Sequence, residues 1–452
     1  MRSLLDEAGM SNKGLARRVV DLAAARGVAS VRPDHTSVLR WLAGEQPRPP
    51  VPELVAAVLG DALGRPILVA ELGMTSGDLP ADLGLHLPLG WKDTVATSTA
   101  LWRADVQRRR FLVNAVFASA AVPASALRWL TSPPAAAPVA SGICQVGRAD
   151  IEAIRGLTSS YREIDNRLGG GKLRAVIVSY LDDQVSRLLT EGTYREETGR
   201  ALAAACGELS QLVGWVAYDS DEHGVAQRYL TQALAYARHA EDPALAAEIL
   251  AAQAHQALYL SRPGEAIDLA RAAQAAAIRD GSATLLTECL VMEAHGHAAR
   301  DDAHACGTAL ARAERTFDRA TREDDPAWLS YFDEAYLAAR MAQCFRDLGE
   351  AAHAARYARR SLDMDGRYVR GRAFNLSLLA TAYAAQDEPE QACHVGRQAL
   401  DLTVRLNSAR SVRYVRDLAR RLRPHADVPA VGDFTAEVRE RLPAAAGHAA
   451  PR

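Results

Sequence analysis

Four polar side chains in one short stretch have the chemistry needed to bond to the edges of DNA bases. They are His35, Thr36, Ser37 and Arg40. Arginine makes paired hydrogen bonds to guanine, and hydroxyl groups bond to several bases. Three cations close to this stretch could bind backbone phosphates. They are Lys13, Arg32 and Arg48. These residue types favour recognition of double-stranded DNA over catalysis.

A short helix must present these side chains, and the sequence predicts one from Asp34 to Ala43. Asp34 can accept the free N–H groups of a first helical turn, and Gly44 can end the helix in a left-handed conformation. The buried face would consist of residues three and four positions apart, namely Val38, Trp41 and Leu42. A preceding helix, capped by Ser11 or Asn12, has an apolar face of the same kind, namely Leu15, Val19 and Leu22.

The stretch SVLRWLAG at 37–44, with prolines at 47, 49 and 50, resembles the end of a helix-turn-helix of the phage-repressor (XRE) type. That resemblance implies that the second helix enters the major groove. The link at 26–33 is longer than the tight turn of that family, which leaves the docking angle open. The alternative is a small helical bundle that does not bind DNA. The first 66 residues hold nine Lys and Arg against seven Asp and Glu, so their charge of +2 is only mildly basic.

The whole chain has 452 residues and a formal charge of −2, which predicts two or three domains and no general affinity for nucleic acid. Its six cysteines are scattered without a C-x-x-C pair, so neither a disulfide framework nor a zinc site is expected. No apolar run is long enough to span a bilayer. The run at 108–112 (RRRFL) mimics an export signal but lies inside the chain. We expect a cytoplasmic protein.

The sequence predicts an all-α chain with four parts. A helical stripe at 52–64 closes a head domain at 1–74, and a helical connector with linkers follows at 75–141. Within the connector, 91–129 has helical periodicity and 131–141 is rich in proline. A helical body covers 142–443, and residues 444–452 form a disordered tail.

Internal repetition begins near residue 207. Five stretches each predict a helix, a turn and a second helix, with a small residue where the second helix crosses the first. These small residues are Ala226, Ala266, Cys306, Ala354 and Ala392. They are separated by 40, 40, 48 and 38 positions. The stretches resemble tetratricopeptide (TPR) repeats, whose usual period is about 34 residues. Another α-solenoid is the alternative. The segments at 408–423 and 434–442 would be capping helices.

The TPR resemblance implies that the first helix of each pair lines a concave groove. Aromatic, amide and charged groups converging there would suit a peptide, a small ligand or a protein partner. We expect the lining to include Tyr218, Glu248, His255, Tyr259, Glu288, His295, Tyr336, Arg340, Gln343, Asn375 and Thr381. Trp215 faces the same way, and Trp215 and Tyr259 are expected to belong to the core rather than to contact a ligand.

Motifs for other chemistry are incomplete. The run Gly169-Gly-Gly-Lys172 lacks the phosphate-loop spacing and predicts a turn between helices. The pair His295 and His297 has no third metal ligand at helical spacing. We therefore expect no metal, no cofactor and no enzymatic activity.

A helix-turn-helix head on a TPR-like body resembles actinobacterial regulators of development and secondary metabolism. The stretches that carry this resemblance are TSVLRWLAGEQPRPP at 36–50, RADVQRRRFL at 103–112 and LVGWVAYD at 212–219. It implies a homodimeric transcriptional regulator that binds DNA. The alternative is an interaction scaffold whose head does not bind DNA.

Overall fold

The computed structural model describes residues 1–442 except 29, 49, 66, 68, 75–79, 108–115, 134 and 172. The described part is almost entirely helical, which confirms the prediction of an all-α protein. It divides into two compact units, Met1–Ala81 and Asp82–Arg452. The predicted tail at 444–452, the arginine run with Phe111 and Leu112, and Lys172 lie outside the described residues.

The first unit packs short helices around one apolar core. Its elements are α1 (Arg2–Glu7), α2 (Asn12–Ala25), α3 (His35–Leu42), α4 (Val51–Leu63) and a 3-10 turn (Val69–Leu72). The Ser11 hydroxyl caps α2 by accepting from the Gly14 N–H at 3.1 Å, so the cap is Ser11 and not Asn12. Helix α2 packs against both α3 and α4. Leu15, Val19 and Val38 are fully buried where these helices meet.

Residues 82–131 begin the second unit, although the sequence assigns them to a connector. Helices α5 (Trp91–Gln107) and α6 (Ala121–Thr131) pack on a later helix, α11 (His223–Ala240). Trp102 is fully buried and stacks on Tyr236 with 6.4 Å between ring centroids. The connector thus differs from the prediction because its large apolar side chains find partners more than a hundred residues away.

A second group of helices precedes the repeats. It consists of α7 (Arg148–Leu168), α8 (Leu173–Tyr180), a π-helical turn (Leu181–Val185) and α9 (Ser186–Thr190). The glycines at 169–171 separate α7 from α8, as the predicted turn requires. Two-residue strands, β1 (Cys144–Gln145) and β2 (Gly192–Thr193), pair in parallel, although no strand was predicted there.

Five consecutive helix pairs form the bulk of the second unit. They are α10 (Glu196–Asp219) with α11, α12 (Pro243–Tyr259) with α13 (Pro263–Asp280), α14 (Ala283–Ala298) with α15 (Ala303–Phe317), α16 (Glu334–Asp347) with α17 (Ala351–Arg360), and α18 (Val369–Ala384) with α19 (Pro389–Thr403). The first helix of each pair also packs on the first helix of the next pair. All five predicted crossing residues have no exposed surface. Small side chains at these positions let the helices approach closely.

The longest gap between repeats corresponds to an insertion. Residues 318–333, between α15 and α16, contain two 3-10 turns (Arg322–Asp324 and Ala327–Leu329). This insertion explains the separation of 48 positions where the other repeats have about 40. The insertion also places the 326–333 segment against the first helices of the pairs. The Tyr331 hydroxyl in this segment contacts carboxylates on α12 and α14.

Helix α7 closes the row of pairs by packing on both α10 and α18. The Asn407 N–H donates to the Leu168 carbonyl at 2.7 Å, and the Gly171 N–H donates to the Asn407 carbonyl at 3.0 Å. A Cβ atom on Gly169, whose φ is +77°, would lie 2.8 Å from the Asn407 carbonyl oxygen. Glycine is needed there for close approach and for its conformation. Helices α20 (Ala409–Arg421) and α21 (Pro429–Arg441) follow the last pair, in the region predicted for capping helices.

Candidate functional site

Helix α3 begins at a well-formed cap. The Asp34 carboxylate accepts from the Ser37 N–H and the Ser37 hydroxyl, both at 2.8 Å, and from the Thr36 hydroxyl at 2.6 Å. Hydrogen bonds from Thr36 and then Ser37 lower the pKa of Asp34. The cap therefore holds both hydroxyl groups at the N-terminus of α3, where each oxygen keeps acceptor capacity.

The outer side of α3 is polar and exposed. His35, Thr36 and Arg40 are exposed and Ser37 is half-buried, while Val38 on the opposite side is fully buried. Lys13, Arg32 and Arg48 are exposed as well. Trp41 and Leu42 are half-buried against the core of the first unit, so the predicted apolar stripe is anchored by Val38.

Arg40 has one acidic neighbour on its exposed side. Its Nη1 atom lies 3.7 Å from Oε1 of Glu45, and both side chains are more than half exposed. Ion pairs of this kind contribute little and exchange readily with other anions. A phosphate or a base edge could therefore replace Glu45 at low cost.

A cavity of about 1150 Å³ lies among α7, the first helices of the pairs and the 326–333 segment. This volume is slightly above the usual range of about 300–1,000 Å³ for small-molecule sites. Most of the residues predicted for the groove line it. They are Glu248, His255, Glu288, Tyr336, Arg340, Gln343 and Asn375.

The other four predicted groove residues, Tyr218, Tyr259, His295 and Thr381, are not among the side chains that line the cavity. Tyr218 is buried and packs edge-on against Tyr259, with ring centroids 5.5 Å apart. His295 bonds to Asp347 at 2.9 Å, and the Thr381 hydroxyl donates to the Ser377 carbonyl of its own helix. Trp215, which was expected in the core, is one of the cavity-lining side chains.

Two buried carboxyl groups, Glu248 on α12 and Glu288 on α14, meet at the Tyr331 hydroxyl. The Tyr331 oxygen is 2.8 Å from Oε2 of Glu248 and 2.8 Å from Oε2 of Glu288. Gln211 also donates to Glu248 at 3.2 Å. Because a hydroxyl donates only one hydrogen, one of the two carboxyl groups must itself carry a proton. Burial, followed by the charge of Glu248, raises the pKa of Glu288 well above its usual value.

Arg340 on α16 is the buried cation next to this acidic pair. It donates to the Tyr336 hydroxyl at 2.9 Å, to the Gln343 side-chain oxygen at 2.7 Å, and to Nε2 of His255. Burial, helped by the charge of Arg340, lowers the pKa of His255 well below its usual value. A neutral His255 can accept that hydrogen bond. The Nε atom of Arg340 has no hydrogen-bond partner among the described residues.

A second network of buried charges joins α7, α10, α18 and α20 beside the cavity. Asp219 on α10 is fully buried and accepts from the Ser408 hydroxyl at 3.0 Å and from Nε of Arg410 at 2.9 Å. Arg370 on α18 reaches Asp219 at 3.5 Å and Asp165 on α7 at 2.6 Å. Burial alone would raise the pKa of Asp219, but the cations of Arg370 and Arg410 outweigh it and lower that pKa.

Sequence reasoning missed the side chains that come from irregular or terminal segments. Trp328 and Tyr331 lie in the insertion, and Arg410 lies on a helix predicted only to cap the array. Arg410 sits over the Tyr218 ring, 4.1 Å from its centroid, and near Trp215 and Phe374. The repeat separation of 48 was the available signal that extra residues enter the body.

Within the described residues, no group of three metal-binding side chains is positioned to hold an ion. No helix in that part of the chain is long and apolar enough to cross a membrane.

A comparison with known protein families finds a local match in the first unit. The family model of the SP15 N-terminal domain matches residues 1–75, which lie within the first unit. No curated protein matches the chain. The first unit, with its capped and exposed α3, is therefore similar to the SP15 N-terminal domain.

Proposed function

We propose that this protein is a cytoplasmic, DNA-binding transcriptional regulator. Helices α2 and α3 act as its helix-turn-helix, and the five helix pairs act as a TPR-like α-solenoid that binds a peptide, small ligand or protein partner. The observation that carries the proposal is α3. Its exposed side holds His35, Thr36 and Arg40, and Val38 anchors the opposite side in the core.

In this mechanism α3 lies in the major groove. Arg40, His35, Thr36 and Ser37 contact base edges. Arg32, Lys13 and Arg48 contact phosphates and set the register. One such helix reads few base pairs, so we propose a homodimer with half-sites about 34–36 Å apart.

The TPR-like assignment is supported by the packing of the pairs. Each pair buries its face against the next, as expected of a solenoid. Gly214 on α10 lies where α11 crosses, because a Cβ atom there would be 2.8 Å from Leu230 and 3.3 Å from the Ala226 carbonyl oxygen. A ligand in the cavity would regulate DNA affinity only if it binds two conformations of the body with different affinities.

The test begins with genomic fragments selected by the purified protein. In gel-shift assays on a selected fragment, Arg40→Ala should lose about 1–3 kcal/mol of discrimination against fragments that were not selected. Arg2→Ala is the matched control, since Arg2 is exposed in the same unit on α1. Unchanged discrimination in Arg40→Ala would refute the proposed recognition helix.

The second candidate is an interaction scaffold with a head that does not bind DNA. The mild charge of the first 66 residues, +2, favours it. Salt separates the two functions, because each phosphate contact releases counterions and makes affinity fall steeply with salt. A regulator should bind the fragments at 50 mM salt and lose most of its affinity at 200 mM. A scaffold should bind them weakly at both concentrations.

A further inference from the structure

Among the buried charged groups of the cavity, the acidic pair Glu248 and Glu288 and the cation Arg340 have no partner of opposite charge within ion-pair distance in the described residues. The buried Arg370 and Arg410, in contrast, are paired with Asp165 and Asp219. Glu248, Glu288 and Arg340 are 7%, 3% and 6% exposed. All three line the same cavity. A buried charge without a counter-charge is unfavourable. A ligand that brings a positive group to the acidic pair and a negative group to Arg340 would therefore gain binding free energy from both contacts.

The separation of the two charged groups is set by one side chain. The Tyr336 hydroxyl lies 3.5 Å from Oε1 of Glu288 and accepts from Nη2 of Arg340 at 2.9 Å. The distance between the Glu288 carboxyl group and the Arg340 guanidinium group is therefore no larger than the sum of these two distances. A ligand that reaches both must carry its positive and negative groups only a few bonds apart.

We propose that this cavity binds a small zwitterion of the α-amino acid class, either a free amino acid or a dipeptide. Its ammonium group lies at Glu248 and Glu288, and its carboxylate pairs with Arg340, whose Nε has no hydrogen-bond partner among the described residues. A planar guanidinium suits a carboxylate because it can donate two parallel hydrogen bonds. The proposal rests on the proposed ligand-binding role of the helix pairs.

Aromatic rings leave room for the side chain of such a ligand. Trp328 and Trp215 are among the cavity-lining residues, and Phe374 lines it beside Arg410. Their apolar faces can bury a ligand side chain while the polar pair and Arg340 fix its orientation.

Binding should release a proton. In the free protein the two carboxyl groups share a proton at Tyr331, as the geometry requires. The positive charge of the ligand's ammonium group favours ionisation of both Glu248 and Glu288. The singly protonated pair then becomes two carboxylates that hold the ammonium, and one proton is released to the solvent. The expected release is up to one proton per ligand at neutral pH.

The experiment uses the full chain. Thermal shift is measured with the twenty common amino acids and with dipeptides that place each of their side chains first and second. Any compound that raises the melting temperature is compared by calorimetry with its deaminated and decarboxylated analogues. The zwitterion should bind at least tenfold more tightly than either analogue, and its heat should depend on the buffer because a proton is released. No shift from any compound would overturn the proposal, as would equal binding of the analogues.

Variants locate the site. Glu288→Gln and Arg340→Met should each weaken the selected compound at least tenfold, and Glu288→Gln should abolish proton release. Glu293→Gln and Arg346→Met are the matched controls. Glu293 lies on α14 with Glu288 but pairs with Arg271. Arg346 lies on α16 with Arg340 but pairs with Asp347. Equal weakening by the controls would overturn the assignment. Circular dichroism checks folding. DNA binding is measured separately, so failure here leaves the recognition helix untouched.

Discussion

Replacing Asp219 with asparagine should destabilise the second unit by about 3 kcal/mol. The carboxylate is fully buried and contacts Arg410 and Arg370, and the Ser408 hydroxyl donates to it. Removing one member of a buried ion pair costs about 3–5 kcal/mol, because the remaining charge stays buried without compensation. We expect the low end, since asparagine keeps one acceptor oxygen and Arg370 keeps Asp165.

Urea unfolding followed by tryptophan fluorescence measures this loss. With a slope of about 3 kcal/mol per molar urea, the midpoint should fall by about 1 M. Asp268→Asn is the control, because Asp268 is exposed on α13, and it should change stability by less than about 0.5 kcal/mol.

A double-mutant cycle tests the cause. Arg410→Met removes the cation, and the double variant Asp219→Asn/Arg410→Met should cost clearly less than the two single losses added together. Additive losses, or a loss below about 1 kcal/mol for Asp219→Asn alone, would refute the reasoning that this pair ties α10 to α20.

Two further predictions concern the packing and the acid stability of the second unit. Gly170→Ala should lower the free energy of unfolding by about 1–3 kcal/mol in the same urea assay, because the new Cβ would lie 2.7 Å from Cγ1 of Val216. Gly264→Ala is the control and should not destabilise the protein, because a Cβ there has no atom within 4 Å. Burial, helped by the charge of Arg238, lowers the pKa of His239 from its ordinary value of 6.5 to about 4. The unfolded chain therefore binds a proton first, and the free energy of unfolding should fall by up to about 3 kcal/mol as the pH drops from 6.5 toward 4. His239→Gln should make this fall shallower, and an unchanged slope between pH 7 and 4.5 would contradict the assignment to His239.

Local sequence patterns predicted the helix pairs well because each pair is built from contacts close in sequence. The apolar period and the turns located the five pairs, and the small residues from Ala226 to Ala392 are all fully buried. The cap of α3 was also visible, since Asp34 and Ser37 are only three positions apart.

Contacts between distant segments could not be predicted in the same way. No periodicity links Asp165 to Arg370 or Trp102 to Tyr236, yet these contacts attach α7 and α5 to the row of pairs. These contacts place residues 82–131 in the second unit, where the sequence indicated a connector. Seven of the eleven predicted groove residues line the cavity, but Tyr331 comes from an irregular insertion whose path depends on the finished fold. DNA binding and dimerisation stay predictions.

The attachment of α7 to both α10 and α18 limits how this architecture can evolve. Open tandem arrays gain or lose units by duplication and deletion, because each unit touches only its neighbours. Here the bonds between Asn407 and the turn after α7 join positions more than two hundred residues apart. Adding or removing one helix pair would pull these ends out of register. The number of pairs is thus fixed by geometry, and diversity among descendants of this chain should accumulate by point substitution inside the enclosed space.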